Sequence, residues 1–219
     1  MRNTFKFIAM LRIAGIIAIV AIIGLGFAAC GDDTGGNGSG GSGGGTGGSG
    51  GGGCDGSCLA IGATGEGGGI IIYHNHAGFT VTGAGSFTAY YLEAAPDDQG
   101  TSQAWASSGY FSTNIPGTGT VIGTGKANTA AILAVDANAP AAKACADYRG
   151  GDKDDWFLPS KDELNEMYEA RIHLGISSGW FWSSSQSKDT AKIQGFSDGS
   201  QVNGDKYNNE YGVRAVRAF

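Results

Sequence analysis

The chain has 219 residues, 41 of them glycine, and its 14 Lys and Arg against 20 Asp and Glu leave a net charge of -6. An acidic chain lacks the dense cationic footprint that neutralising phosphates requires, so nucleic acid is excluded as a partner.

The first element is a secretory signal. Arg2, Lys6 and Arg12 precede seventeen uncharged residues, 13–29, which end in Phe27-Ala28-Ala29 and are followed by Cys30. A basic head, an apolar run and small residues at the junction form an export signal. A cysteine directly after it is the mark of a bacterial lipoprotein, in which Cys30 would be lipidated and become the mature N-terminus. Phe27 stands where that box usually carries an aliphatic residue. Two other outcomes compete. The run could be cut as an ordinary export signal at Gly26-Phe27-Ala28, or stay uncleaved, although seventeen residues sit at the short limit for spanning ~30 Å of hydrocarbon. Each of the three puts the rest of the chain outside the cytoplasm.

Residues 31–53 follow, 15 of the 23 glycine and the others Ser, Thr, Asn or Asp. With no apolar side chain to bury, such a segment is expected to be a flexible tether. The expected organisation is therefore a signal peptide at 1–29, a lipidated cysteine and Gly/Ser linker at 30–58, and a globular domain at 59–219. From Cys30 onward the 14 basic residues lose the three of the signal, leaving 11 against 20 acidic and a net charge of -9; all eleven lie from Lys126 onward. Cys54, Cys58 and Cys145 make a disulfide plausible in an exported chain. A bridge from Cys54 or Cys58 to Cys145 would pin the linker's exit to the domain, whereas Cys54–Cys58 would close only a small loop. The spacing leaves the pairing open and does not match a zinc knuckle.

The domain is expected to be α+β with strands dominating. Ile70-Ile71-Ile72-Tyr73 and Phe79-Thr80-Val81-Thr82 suggest a hairpin closed by a five-residue loop at 74–78. Another strand is expected at 90–95, stopped by Pro96. Helices are expected at 128–135 and 139–148, with Pro140 in the first turn of the second. Ser160-Lys161-Asp162-Glu163 is a capping box opening a helix over 161–172. Leu164, Met167, Tyr168 and Ile172 would form its core face at helical spacing. Strands at 180–182, 191–193 and 213–216 complete the reading. Trp156, Leu158, Pro159, Ser160, Glu163, Leu164 and Trp182 are assigned structural roles.

The run Trp156-Phe157-Leu158-Pro159-Ser160-Lys161-Asp162-Glu163-Leu164-Asn165 resembles the signature of the Lcl C-terminal domain family, named after a collagen-like adhesin. Supporting blocks are Tyr91-Leu92-Glu93-Ala94-Ala95-Pro96, Ile122-Gly123-Thr124-Gly125 with Asn128-Thr129, Trp182-Ser183-Ser184-Ser185, and Val213-Arg214-Ala215-Val216-Arg217-Ala218-Phe219. The resemblance spans about residues 60–219. It implies an exported module on a flexible stem with a C-type-lectin-like fold, twisted antiparallel strands and two or three helices. A fold-level likeness of this kind carries no activity by itself.

Catalysis is not expected. The Trp-x-Leu-Pro-Ser turn resembles that of formylglycine-generating enzymes, but their late cysteines have no counterpart after Cys145. Residues 117–126 mimic a phosphate loop, yet Ala127 replaces the required Ser or Thr and the glycine spacing is wrong. No cofactor is expected. For metals, His74-Asn75-His76 would present both imidazoles on one face only if the segment stayed extended. Its position in an expected turn makes it a polar loop. Asp152-x-Asp154-Asp155 with Glu163 imitates a calcium loop, but Trp156 and Phe157 occupy positions that need an oxygen ligand and a glycine.

What remains is recognition through a surface. Residues 197–212 are dense in Asn, Asp, Ser and Gly, with tyrosines interleaved, the composition of adaptable recognition loops. Asn203, Asp205, Tyr207, Asn208, Asn209 and Tyr211 are the candidate ligand-binding residues. The competing reading is that the same residues only make turns. The expected protein is a non-catalytic ligand-binding or adhesion module, lipid-anchored in the bacterial cell envelope at the outer membrane or cell surface. Its partners would be membrane lipid through Cys30 and a glycan or protein ligand. The alternatives are a structural envelope lipoprotein without a specific ligand, or a diversified receptor of C-type-lectin type.

Overall fold

The computed structural model describes residues 58–219; the expected signal, Cys30, Cys54 and nearly all of the linker lie outside the described residues. In chain order the elements are β1 (Ile70–Val81), β2 (Phe87–Ala94), β3 (Gly100–Gln103), α1 (Gly125–Val135), α2 (Pro140–Ala146), α3 (Lys161–Glu169), β4 (Trp180–Ser187), β5 (Thr190–Gly195), β6 (Gln201–Asp205), β7 (Tyr211–Val213) and β8 (Val216–Ala218). The α+β class is as expected. Among the described residues no helix is long and apolar enough to cross a membrane.

The strands form two sheets, one ordered β1-β2-β8 and one ordered β3-β7-β4-β5-β6. All pairings are antiparallel except β4 with β7. Strand β4 is buried on both faces. Phe181 joins a core with Leu92, Phe157, Leu164, Met167 and Phe196. Trp182, its neighbour, joins a second core with Trp105, Ile132, Cys145, Trp156 and Leu158. Successive side chains of a strand point to opposite faces, so one strand serves both cores. Helix α3 packs on β1, β4 and β5, and α1 lies on β4 with α2 beside it.

Helix α3 begins at the capping box read from the sequence. The Ser160 hydroxyl accepts from the Glu163 N–H, and a Glu163 carboxylate oxygen accepts from the Ser160 N–H at 2.7 Å. The helix ends at Glu169, however, and Ile172 is 82% exposed, so it is not part of the core face. Residues 171–175 form turns, which rotate Ile172 outward. Trp156, Leu158, Pro159, Ser160, Glu163, Leu164 and Trp182 are all buried.

The expected hairpin at 70–82 is corrected. β1 runs through residues 74–78 in one direction and pairs with β2 at both ends, Ile70 opposite Ala94 and Val81 opposite Phe87. The turn signals produce a bulge instead of a reversal. Between His74 opposite Tyr91 and Phe79 opposite Ala89 the register shifts, with Gly78 at φ +76° and the Ala77 N–H donating to Asn75 Oδ1. The chain resumes its course because Phe79, Thr80 and Val81 find their partners on β2, and the reversal comes at 82–86. The strand expected at 213–216 is likewise two strands. β7 ends at Val213 in one sheet and β8 starts at Val216 in the other, with Arg214 and Ala215 crossing between them.

Two buried glutamates fasten the glycine-rich loops. Glu93 on β2 accepts from Gly67 N–H at 2.8 Å and Gly69 N–H at 3.0 Å, and from Arg217 at 2.9 Å. A Cβ at Gly67 would stand 2.6 Å from the Glu93 carboxylate, so no larger residue could bring its backbone so close. Glu163 on α3 accepts from Gly123 N–H at 2.8 Å and Gly125 N–H at 3.4 Å. The three serines of β4 do similar work. Ser183 donates to Lys192 C=O, Ser184 to Pro159 C=O and Ser185 to Gly119 C=O.

Candidate functional site

The residues proposed for recognition are divided between surface and core. Asn203 and Asp205 lie exposed on β6, the edge strand of the five-stranded sheet. Tyr207 and Asn209 are exposed in the turn that follows, and Asn208 is half-buried. Asn208 shapes that turn. Its N–H donates to Asp205 C=O and its Oδ1 accepts from Glu210 N–H. Tyr211 is half-buried and packs edge-on against Trp182 with ring centroids 4.8 Å apart. Its buried side supports the second core.

Tyr207 is the most exposed aromatic of the group, at 62%. Its hydroxyl donates to Asp205 Oδ2 at 2.9 Å, and that bond raises the phenol's pKa. Its ring stands edge-on to Phe111, centroids 6.0 Å apart, and Tyr110 beside Phe111 is also exposed. Two loops far apart in sequence thus present a cluster of aromatic rings. Tyr110 and Phe111 were not singled out in the sequence, because nothing local shows which loop residues 205–211 will meet.

The fastening between these loops is Lys206, fully buried next to the exposed Tyr207. Its ammonium donates to Thr113 C=O at 2.7 Å and Gln186 Oε1 at 2.6 Å, and stands 4.6 Å over the Trp105 ring. Burial lowers its pKa to about 8. The same Gln186 donates to Asn114 Oδ1 and Ile115 C=O, so the aromatic loop is tied down at three consecutive residues. The surface is therefore held before any ligand arrives.

The remaining candidates resolve differently. Cys145 is buried in α2 as a thiol, its pKa pushed well up by burial, and no Cys58–Cys145 bridge forms. Asp155 is committed to Arg217 at 2.6 Å, and Glu163 turns inward as the helix cap, so the calcium-loop mimic does not assemble. A cleft of about 200 Å³ lined by Lys126, Leu133, Asp154 and Trp156 falls below the ~300 Å³ at which small-molecule pockets begin.

His74 and His76 are extended in β1 rather than in a turn, contrary to expectation. Alternation on the strand then brings their rings together, centroids 4.0 Å apart. Cys58 reaches the same place, and the ligating atoms of all three lie within 4.8 Å of one another. Burial and the neighbouring His76 lower the pKa of His74. Of the classes of site weighed from sequence, this metal-type cluster is the one the turn reading obscured. No family model and no curated protein matches the chain.

Proposed function

We propose that the chain is a surface-displayed, non-catalytic ligand-binding or adhesion module, lipid-anchored in the bacterial envelope through Cys30 and held off the membrane by its glycine tether. We further propose kinship with the Lcl C-terminal domain family and a C-type-lectin-like arrangement of the strands. The observation that carries the binding reading is the exposed Tyr207 and Tyr110 with the half-buried Phe111 between them against the core, a group held by the buried Lys206. Large, rigid, amphipathic rings supply contact area at low entropic cost, and Asn203, Asp205 and Asn209 around them supply adaptable hydrogen bonds. A fastened paratope also loses less freedom on binding.

The anchor is tested by fractionation and metabolic labelling. Cys30→Ala moves the protein from membrane to soluble fractions, and absence of fatty-acid label on the native chain would reject lipidation. The surface is tested on a glycan and host-protein array with the full chain. Tyr207→Ala and Asn209→Ala weaken whatever binding is found while the melting temperature stays put. Binding untouched by both, in a stably folded protein, would reject this surface.

A further inference from the structure

Just past the glycine tether, three side chains with metal-ligating atoms converge on the middle of β1. His74 and His76 share one face of the strand with ring centroids 4.0 Å apart, and Cys58 brings its thiol to them. The arrangement is supported from below. His74 stacks on Tyr91 at 4.4 Å and 10°, Tyr91 stacks on Phe219, and the Tyr91 hydroxyl accepts from Leu59 N–H at 3.3 Å. One tyrosine thus orients an imidazole and also holds the residue next to Cys58. A separate observation points into the same space. The Nε2 atom of His74 is buried and has no hydrogen-bond partner among the described residues. A buried polar nitrogen left in this state is costly unless something else ligates it.

We propose that Cys58, His74 and His76 bind one Zn²⁺-class transition-metal ion and that the ion ties the end of the tether to the domain. One thiolate and two imidazoles suit a borderline ion of this class and do not suit Ca²⁺ or Mg²⁺, which take oxygen ligands. On a common Zn²⁺, with bonds of about 2.0–2.3 Å, tetrahedral ligand atoms stand ~3.3–3.7 Å apart. The present separations, all within 4.8 Å, close to that by a side-chain adjustment of about an ångström. Cys58 and His76 are exposed, so the fourth position faces solvent and would hold water. Binding converts the Cys58 thiol to a thiolate and releases its proton to solvent, while each imidazole gives a lone pair and nothing is oxidised or reduced. The site is independent of the Tyr207 surface and stands whether or not that surface binds a ligand.

The test uses the full chain in detergent, stripped with chelator under reducing conditions and titrated with Co²⁺ and then Zn²⁺. Expected is one equivalent of Co²⁺ per chain with a thiolate-to-metal charge-transfer band, displaced by Zn²⁺. Cys58→Ser abolishes the band, and His76→Ala, at an exposed position that leaves folding intact, weakens Co²⁺ binding at least tenfold. Cys54→Ser leaves the band and the affinity unchanged. Absence of the band in the reduced native chain overturns the proposal. So does binding unaffected by Cys58→Ser or His76→Ala, or binding abolished by Cys54→Ser alone. Mass spectrometry of the chain as isolated gives a further check, because a Cys54–Cys58 disulfide that persists there would exclude the site in the native protein.

Discussion

Glu93 and Glu163 perform the same task in two parts of the molecule under different electrostatic terms. Each is fully buried and each gathers backbone N–H groups from a glycine-rich loop. Glu93 also meets Arg217, which reaches Asp155 on its other side at 2.6 Å. Among the described residues Glu163 meets only dipoles, from Gly123, Gly125 and Ser160. Burial raises the Glu163 pKa from its ordinary 4.5 to about 7, outweighing the hydrogen bonds that pull it down. A glutamate can therefore close a loop with or without a counter-ion, but without one it makes the loop sensitive to pH.

The largest effect is expected at the ion-paired knot. Glu93→Ala leaves Arg217 with Asp155 but without its fully buried partner, leaves the N–H groups of Gly67 and Gly69 unpaired, and should cost ~3–5 kcal/mol in urea denaturation. If the loss is no greater than for an exposed residue, the counter-ion is not what holds that loop. Leu164→Ala, adjacent to the other knot and nearly fully buried, should cost ~2–5 kcal/mol. That loss should be the same at pH 5 and pH 8, since no charge is involved. The pH response belongs to Glu163. Its folded pKa lies above its unfolded one, so its favourable contribution is complete below about 4.5 and is lost as pH rises to about 7. The full span corresponds to about 3 kcal/mol. Glu163→Gln should flatten stability between pH 5 and 8, and an unchanged slope in that variant would place the titrating group elsewhere. The smallest effects separate the tyrosines. Tyr211→Ala should cost ~1–3 kcal/mol through lost packing on Trp182, whereas Tyr207→Ala should stay within ~0.5 kcal/mol.

The elements whose signals are local were legible in the sequence. Ser160 and Glu163 announce the start of α3, Pro140 that of α2, and helical spacing places Leu164 and Met167 on the buried face. The fate of residues 74–78 was not legible. Asn75 and Gly78 carry turn chemistry, but whether a turn reverses the chain or only bulges it depends on where Phe79–Val81 find partners, and those lie on β2. The cluster of Cys58, His74 and His76 depends on the same non-local pairing. Only an extended strand places both imidazoles on one side. The surface around Tyr207 was half legible, because composition marks residues 197–212 but not the meeting of Phe111 with Tyr207. Lys206 reads as one more surface charge, and only the packing of Trp105, Thr113 and Gln186 around it turns it inward.

The eight residues Tyr211–Ala218 contribute β7 to one sheet and β8 to the other. Their partners come far earlier in the chain. Glu93 and Arg217, which face each other across β2 and β8, are 124 residues apart. Closing a loop of that length must precede the contacts that reward it, which slows folding in chains dominated by non-local pairing. A chain appearing from its N-terminus therefore holds β2, β3 and β4 with open edges until this last segment arrives. Completion of both sheets thus depends on one short segment, and the unpaired strand edges that precede its arrival are the surface through which a partly folded chain aggregates.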